Sequence, residues 1–482
     1  MTRNGNPWVV LAVIVGGYFM AQMDLTVLTV ALPSIVADLD ASVVEGLWAV
    51  NAYVLALAIS LITAGRLGDL YGSRRVFAVG LGMFTLFSLV CALAQSPAQL
   101  IVARGFQGLG AALIVPQILA MIVALFPEDR RGTALGIRGS VGAGAALAGP
   151  VIGGLLVHTL DWRWVFLINI PIGLLLLILT LTLIPQVAPE RKRRLDLVGV
   201  VLSAAALFLA VFALTQGEET GWAAWIWIAL AGSAGTACLF VAHQRRNQGR
   251  EPLLPFGVFS GRRFPLMCLA GAGVSMGMIG LTVVLSFYLQ SGLGTGALVA
   301  GAVLAPASLV SMVLAPFVGR FSDRVDAKLL LLAGLVLTGG GMAWIALSMA
   351  PDASWTGLIP VMLVIGAGNS MLFTPLTAIA TRGLAPAVAG SAGGVLATVL
   401  QLGAAFGSAA VSAVMQSGAD TGAFTDATRS AMLIPISAIA IATALALAVQ
   451  RTPPASAGKA APKPSAHDVS HEESHRDQRD AG

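Results

Sequence analysis

Charge is scarce in this 482-residue chain: Asp, Glu, Lys and Arg make up 11% of it, against about 25% in a soluble domain. Hydrophobic residues reach 57%, with a mean hydropathy of +0.86. A fold in water cannot hide that much apolar surface, so a soluble protein is excluded and bilayer lipid is part of the solvent. Cysteine is nearly absent, and Cys91, Cys238 and Cys268 all lie in apolar runs, which excludes a disulfide framework. The phosphate-cradling pattern G-x-x-x-x-G-K-[ST] is missing, as is any polar stretch long enough for a nucleotide-binding domain. Neither His-Glu-x-x-His nor Gly-x-Ser-x-Gly occurs, and His158 and His243 fall at opposite membrane ends, which argues against an intramembrane hydrolase. The net charge of +5 does not make a nucleic-acid binder, because the arginines sit between apolar runs and form no basic face.

What the chain does have is apolar runs of membrane length, about 20 residues at 1.5 Å rise each. Fourteen can be marked: 8–36, 43–64, 76–95, 98–124, 134–158, 163–184, 197–216, 223–243, 264–290, 297–319, 329–350, 356–379, 390–416 and 429–450. The first is too long for a signal-peptide core and has no small-x-small cleavage site, so it reads as a retained span. Alternate loops carry eighteen Lys and Arg residues, among them Arg191 to Arg194 and Arg250, while the intervening loops carry only Arg163 and Arg429. The positive-inside rule then places both termini in the cytoplasm of a multi-pass cell-membrane protein. From 451 onward Pro, Ser, His and charge replace the apolar runs, and the segment reads as a disordered tail. His467, His471 and His475 would stack only on a helix that this composition does not support, so no metal site is expected.

The chain also repeats itself. "GRLGDLYGSRR" (Gly65 to Arg75) follows the second run and "GRFSDRVDAK" (Gly319 to Lys328) the tenth; Gly65, Asp69 and Arg74 match Gly319, Asp323 and Lys328, each 254 residues on. Six helices need less than that, so the seventh and eighth runs read as an insertion between two parallel six-helix units. The expected organisation is a first bundle at 1–186, an inserted hairpin at 187–255, a second bundle at 256–450 and the tail at 451–482.

At these loops the sequence resembles the major facilitator superfamily, in its fourteen-helix drug:proton antiporter branch. The first loop fits the superfamily signature at Gly65, Leu67, Asp69, Gly72, Arg74 and Arg75. "LIVARGFQGLGAA" fits the fourth-span motif at Leu100, Arg104, Gln107, Gly108 and Gly110. "GIRGSVGAGAALAGPVIGG" fits the antiporter motif at Gly136, Gly149, Pro150, Gly153 and Gly154, departing from it at Ala145. "MDLTVLTVALP", "WAVNAY" and "WRWVFLINIPIG" suggest the branch. The resemblance implies an all-α integral membrane protein of two six-helix bundles plus two inserted helices. It implies a proton-driven exporter of amphiphilic small molecules, multidrug or antibiotic efflux by alternating access, with a cytoplasmic gate at the two loops and no cofactor beyond the proton gradient. Another cargo (lipid, peptide or siderophore) or a transport-inactive receptor remains open at this level. The expected partners are substrate, protons and membrane lipids; no nucleic acid is expected, and a monomer suffices.

Asp24 stands sixteen residues, about 24 Å of helix, into the first span from Trp8. An ionised acid at that depth is expensive, so it either pairs or carries a proton. It is read as the proton carrier, reachable by water as the lobes tilt about it, with Arg104 as counter-charge. Arg138 has two readings: its long side chain snorkels to the interface, or it lines the cavity and meets anionic substrates. Further cavity candidates are Asn51, Tyr53, Gln107, Tyr288, Gln290, Asn369 and Gln401. No second acid accompanies Gln401 in the thirteenth run, which disfavours divalent cationic cargo and favours a monovalent cation, a neutral amphiphile or a weak acid.

Overall fold

The computed structural model describes residues 6–185, 195–248, 252–259, 261–350, 353–419 and 424–450. The expectations for Arg191 to Arg194, Arg250 and the tail with its three histidines lie outside the described residues. Among them are fourteen helices long and apolar enough to cross a membrane. In chain order these are α1 (Pro7–Asp38), α2 (Val43–Tyr71), α3 (Ser73–Ala92), α4 (Pro97–Leu125), α5 (Glu128–Thr159) and a sixth span broken into α6 (Trp164–Leu167) and α7 (Asn169–Leu183). Next come α8 (Leu197–Glu219), α9 (Ala224–Asn247), α10 (Arg263–Phe287), α11 (Ala297–Ser322) and α12 (Ala327–Ser348). The twelfth span is α13 (Ile359–Ser370) with α14 (Phe373–Thr381), the thirteenth is α15 (Ala389–Ala419), and the last is α16 (Phe424–Ala431) with α17 (Leu433–Ala448).

Local chemistry explains where these helices start. Asn6 accepts the Trp8 amide before Pro7, a residue that has no N–H to lose in a first turn. Ser42 and Glu45 form a reciprocal capping box on α2. The α5 helix begins six residues earlier than its apolar run, because Pro127 sets the start and Glu128 and Asp129 suit the positive end of the helix dipole. Likewise α2 continues seven residues past its run to Tyr71, and Gly72 at φ +92° turns the chain into α3. Hydropathy marks only the part of a helix inside the hydrocarbon.

The outer surface is lipid-like: Leu347 is 83% exposed and Ile228 71%, exposures that water would penalise and lipid does not. Inside, α10 to α17 enclose one apolar cluster built on residues such as Met267, Leu285, Leu335 and Ile365. The first half, α1 to α7, holds two clusters, one around Ile14, Phe77 and Ile118 and another around Leu28, Cys91 and Phe166. Between those two clusters lies a layer of buried polar side chains. The inserted helix α8 packs on both α2 and α15, so the hairpin sits against the seam between the halves. Trp48 of α2 packs at a tilt against Phe212 of α8, with ring centroids 5.9 Å apart.

Candidate functional site

The buried polar layer is built around Asp24. Its carboxylate pairs with the Arg104 guanidinium, both side chains having no solvent exposure. It also accepts the side-chain amides of Gln107 and Asn169 at 3.1 Å each. Arg104 donates further to the Ala49 carbonyl (3.1 Å) and to Gln107 Oε1 (2.8 Å), and lies 4.3 Å over the Tyr53 ring. Tyr53 donates its hydroxyl to the Ala21 carbonyl, and Asn169 donates to Ser88, which donates to the Phe166 carbonyl. Six helical segments, α1 to α4, α6 and α7, thus contribute to the layer around this acid. Removing one member of such a pair strands a buried charge, at a cost of about 3–5 kcal/mol. Two polar atoms stay unsatisfied there, Arg104 Nη2 and Asn169 Oδ1. Asp24 is 1% exposed and is not in the wall of the cavity between the halves. The expectation has water reach this acid as the lobes tilt about it; in this conformation the carboxylate is sealed inside the first half.

The two repeated loops cross between the halves. Asp69, near the end of α2, accepts the backbone N–H groups of Gly390 (2.9 Å) and Ser391 (2.8 Å) in the first turn of α15, and the Ser391 hydroxyl. Asp323, at the end of α11, accepts the N–H groups of Gly132 (2.7 Å) and Thr133 (2.9 Å) in α5, and the Thr133 hydroxyl at 2.6 Å. Each half therefore offers one carboxylate to the N-terminal part of a helix of the other, the first turn of α15 and the second turn of α5, the end whose dipole favours an anion. Burial raises the Asp323 pKa above its ordinary value; the Thr133 and Gly132 donors oppose that shift, and neighbouring Asp129 adds to it.

Glycine makes these crossings possible. A Cβ on Gly65 would overlap the Gly390 carbonyl, and one on Gly319 the Gly132 carbonyl. Two basic residues of the same loops, Arg74 and Lys328, act within their own half. Arg74 donates to the Leu181 carbonyl at the end of α7, and Lys328 to the Leu447 (2.8 Å) and Val449 (2.5 Å) carbonyls at the end of α17. Cations belong there, because the last carbonyls of a helix lack partners. Arg75 is exposed.

In the antiporter motif, Gly149 and Gly153 lie against Thr26 and Val27 of α1, where a Cβ would clash, while Gly154 has room beside Val30 at 3.9 Å. Pro150 is inside α5 and exposed. It removes the N–H that would pair with the Ala146 carbonyl.

A cavity of about 480 Å³ lies between the halves, walled by α1, α4 and α5 on one side and by α10, α11, α13 to α15 on the other. Arg138, Asn369 and Gln401 are in its wall. Arg138 is ten residues, about 15 Å, into α5, with its guanidinium 4.5 Å over the Tyr18 ring. Of its two readings the geometry selects the cavity over snorkelling. The other cavity candidates are elsewhere. Tyr53 and Gln107 surround the ion pair, Tyr288 is buried with its hydroxyl on the Ala350 carbonyl (2.8 Å), Gln290 is exposed, and Asn51 is half-buried outside this wall. Sequence reasoning missed Asn169 in the ion-pair layer and Tyr18 and Gln22 in the cavity. Asn169 gives a readable signal, a lone amide in an apolar run; Tyr18 and Gln22 do not differ in pattern from packing residues.

The family model described as the Major Facilitator Superfamily matches residues 14–408. Over 399 residues the chain is 41% identical to an uncharacterized MFS-type transporter of Mycobacterium tuberculosis, covering 83% of this chain and 69% of that protein. It is 37% identical over 398 residues to the cephamycin export protein CmcT of Amycolatopsis lactamdurans, covering 80% and 81%. The fold aligns with the solved proton:xylose symporter XylE at a TM-score of 0.64 and 15% identity, over 93% of this chain and 96% of that one.

Proposed function

The chain belongs to the major facilitator superfamily, and from that premise we propose that it is a proton-coupled exporter of amphiphilic small molecules working by alternating access. The observation that carries the reading is the cavity between the halves together with its two reciprocal carboxylate latches, both on the end bearing the arginine-rich loops. With that end in the cytoplasm, as the distribution of basic residues favours, the latched state keeps cargo from returning inward. The two six-helix units, 1–186 and 256–450, then tilt against each other, with the hairpin at 187–255 riding on their seam.

Export, as against uptake, is supported by the relative named as an export protein; the fold itself is shared with a symporter and does not choose a direction. Proton coupling is assigned to Asp24. In the latched state Arg104, Gln107 and Asn169 all donate to the Asp24 carboxylate. Arginine keeps its charge at any relevant pH, so proton uptake by Asp24 dissolves the pair and frees α1 to move against α4 and α7. Proton exchange belongs to the other conformation, in which that seam opens. The energy source is the proton gradient.

Purified protein in liposomes under an imposed pH gradient tests the reading. One proton crossing 100 mV supplies about 2.3 kcal/mol, so a neutral amphiphile should reach roughly a 50-fold gradient at one proton each. Gradient-independent equilibration, or no movement of any dye in a panel of charged and neutral amphiphiles, ends it.

A further inference from the structure

Arg138 is the one charged residue in the wall of the cavity between the halves, as described; no Asp or Glu shares that wall. Its Nε is buried without a hydrogen-bond partner, and among the described residues it makes no ion pair. Its guanidinium lies against the face of Tyr18. Arg104 makes the contrast: fully buried inside the first half, it is neutralised by Asp24. A guanidinium at membrane depth without a counter-charge is costly, and an aromatic face compensates only part of that cost. The remaining wall groups, Gln22, Asn369 and Gln401 among them, are neutral amides and hydroxyls that orient a ligand without cancelling charge.

We infer that this cavity selects amphiphiles bearing a single negative charge, such as a carboxylate or sulfonate on an apolar body, and that Arg138 is the residue that meets the charge. The planar fork of arginine matches a carboxylate with two parallel N–H donors, and the apolar wall receives the body. A cationic amphiphile meets the same field with the opposite sign and is disfavoured. The inference deepens the exporter reading and rests on it for what happens to the ligand; the binding preference itself comes from the cavity's charge.

The test uses three probes sharing one ring system: anthracene-9-carboxylate, anthracene-9-carboxamide and 9-(aminomethyl)anthracene. Each is titrated by fluorescence into the full chain in phosphatidylcholine nanodiscs at pH 7, with empty nanodiscs subtracted. The carboxylate should bind at least 10-fold tighter than the amide, and the amine weakest of the three. Arg138→Gln should bring the carboxylate within twofold of the amide, and Arg138→Lys should restore part of the preference. Equal binding of carboxylate and amide by the unaltered protein, tightest binding of the amine, or a preference that survives Arg138→Gln overturns the inference. The three-probe comparison needs no variant, so it decides even if the substituted proteins do not fold. Proton-driven export of the amide without a carboxylate preference defeats this inference alone. A carboxylate preference with no proton-driven movement of any probe upholds it and defeats the exporter reading.

Discussion

Asp69 and Asp323, 254 residues apart in the chain, make the same contact in opposite directions. Each carboxylate takes two successive backbone N–H groups and one hydroxyl from a helix of the other half. Two latches placed this way act in parallel on one face, and each adds to the preference for the closed state.

Loss of either latch should open that face. A hydrogen bond to a charged group contributes about 1.5–3 kcal/mol, so Asp69→Ala or Asp323→Ala should shift the closed-to-open ratio by roughly 10- to 100-fold. Spin labels at the exposed positions Arg130 and Arg324, one in each half, read the change as a longer distance population. An unchanged distance distribution in both variants removes the latch role.

Acid should tighten the Asp323 latch. Burial raises the pKa of this carboxyl above 3.8 in the closed state, so the closed state binds the proton more tightly than an open, hydrated one. Protonation and closure then favour each other as pH falls through the interval above 3.8. The same label pair should show more of the short distance on acidification, and Asp323→Asn, which cannot titrate, should lose that component of the response.

Bulk at the crossing points should have the effect of lost latches without touching a charge. A Cβ at Gly65 or Gly319 overlaps a carbonyl of the opposite helix, so Gly65→Val and Gly319→Val should hold the face open and reduce export more than tenfold, while insertion into the membrane persists. Export at the original rate would mean that the helices never approach this closely during the cycle.

Asp24 and Arg104 should separate stability from coupling. Asp24→Asn leaves Arg104 buried and uncompensated, which should destabilise the first half by about 3–5 kcal/mol. Adding Arg104→Gln should recover most of that in a thermal melt but leave export uncoupled from the pH gradient. Coupling that returns with stability would make the pair a structural brace only. Asn169→Leu removes one donor to Asp24 and should cost about 1–3 kcal/mol while retaining coupled export.

Much of this was legible from residues. The fourteen spans and the alternation of arginine follow from hydropathy and charge, which the bilayer imposes on each segment separately. The matching of Asp69 with Asp323 is visible as a repeat, and a carboxylate beside a helix start has few other uses. The residues that surround Asp24 were only half legible: Arg104 declares itself as a charge in an apolar run, whereas Asn169, the eighth residue of a different motif, takes its meaning from a neighbour 145 positions away. Cavity lining was least legible, because Tyr53 and Asn369 look alike as isolated polar groups on greasy helices and only packing turns one inward to an ion pair and the other to open space.

The amino-acid sequence alone determined that the chain lives in lipid, how often it crosses, and where its two halves repeat, since each of these depends on composition within a segment. Tertiary structure decided that Asp24 is sealed inside one half, that Arg138 faces the cavity, and that each latch reaches across to the other half. A helix in a membrane is apolar on nearly every side, so the rotation that points a polar group at a partner, at a void or at lipid is set by which helices pack against it, and no local pattern records that.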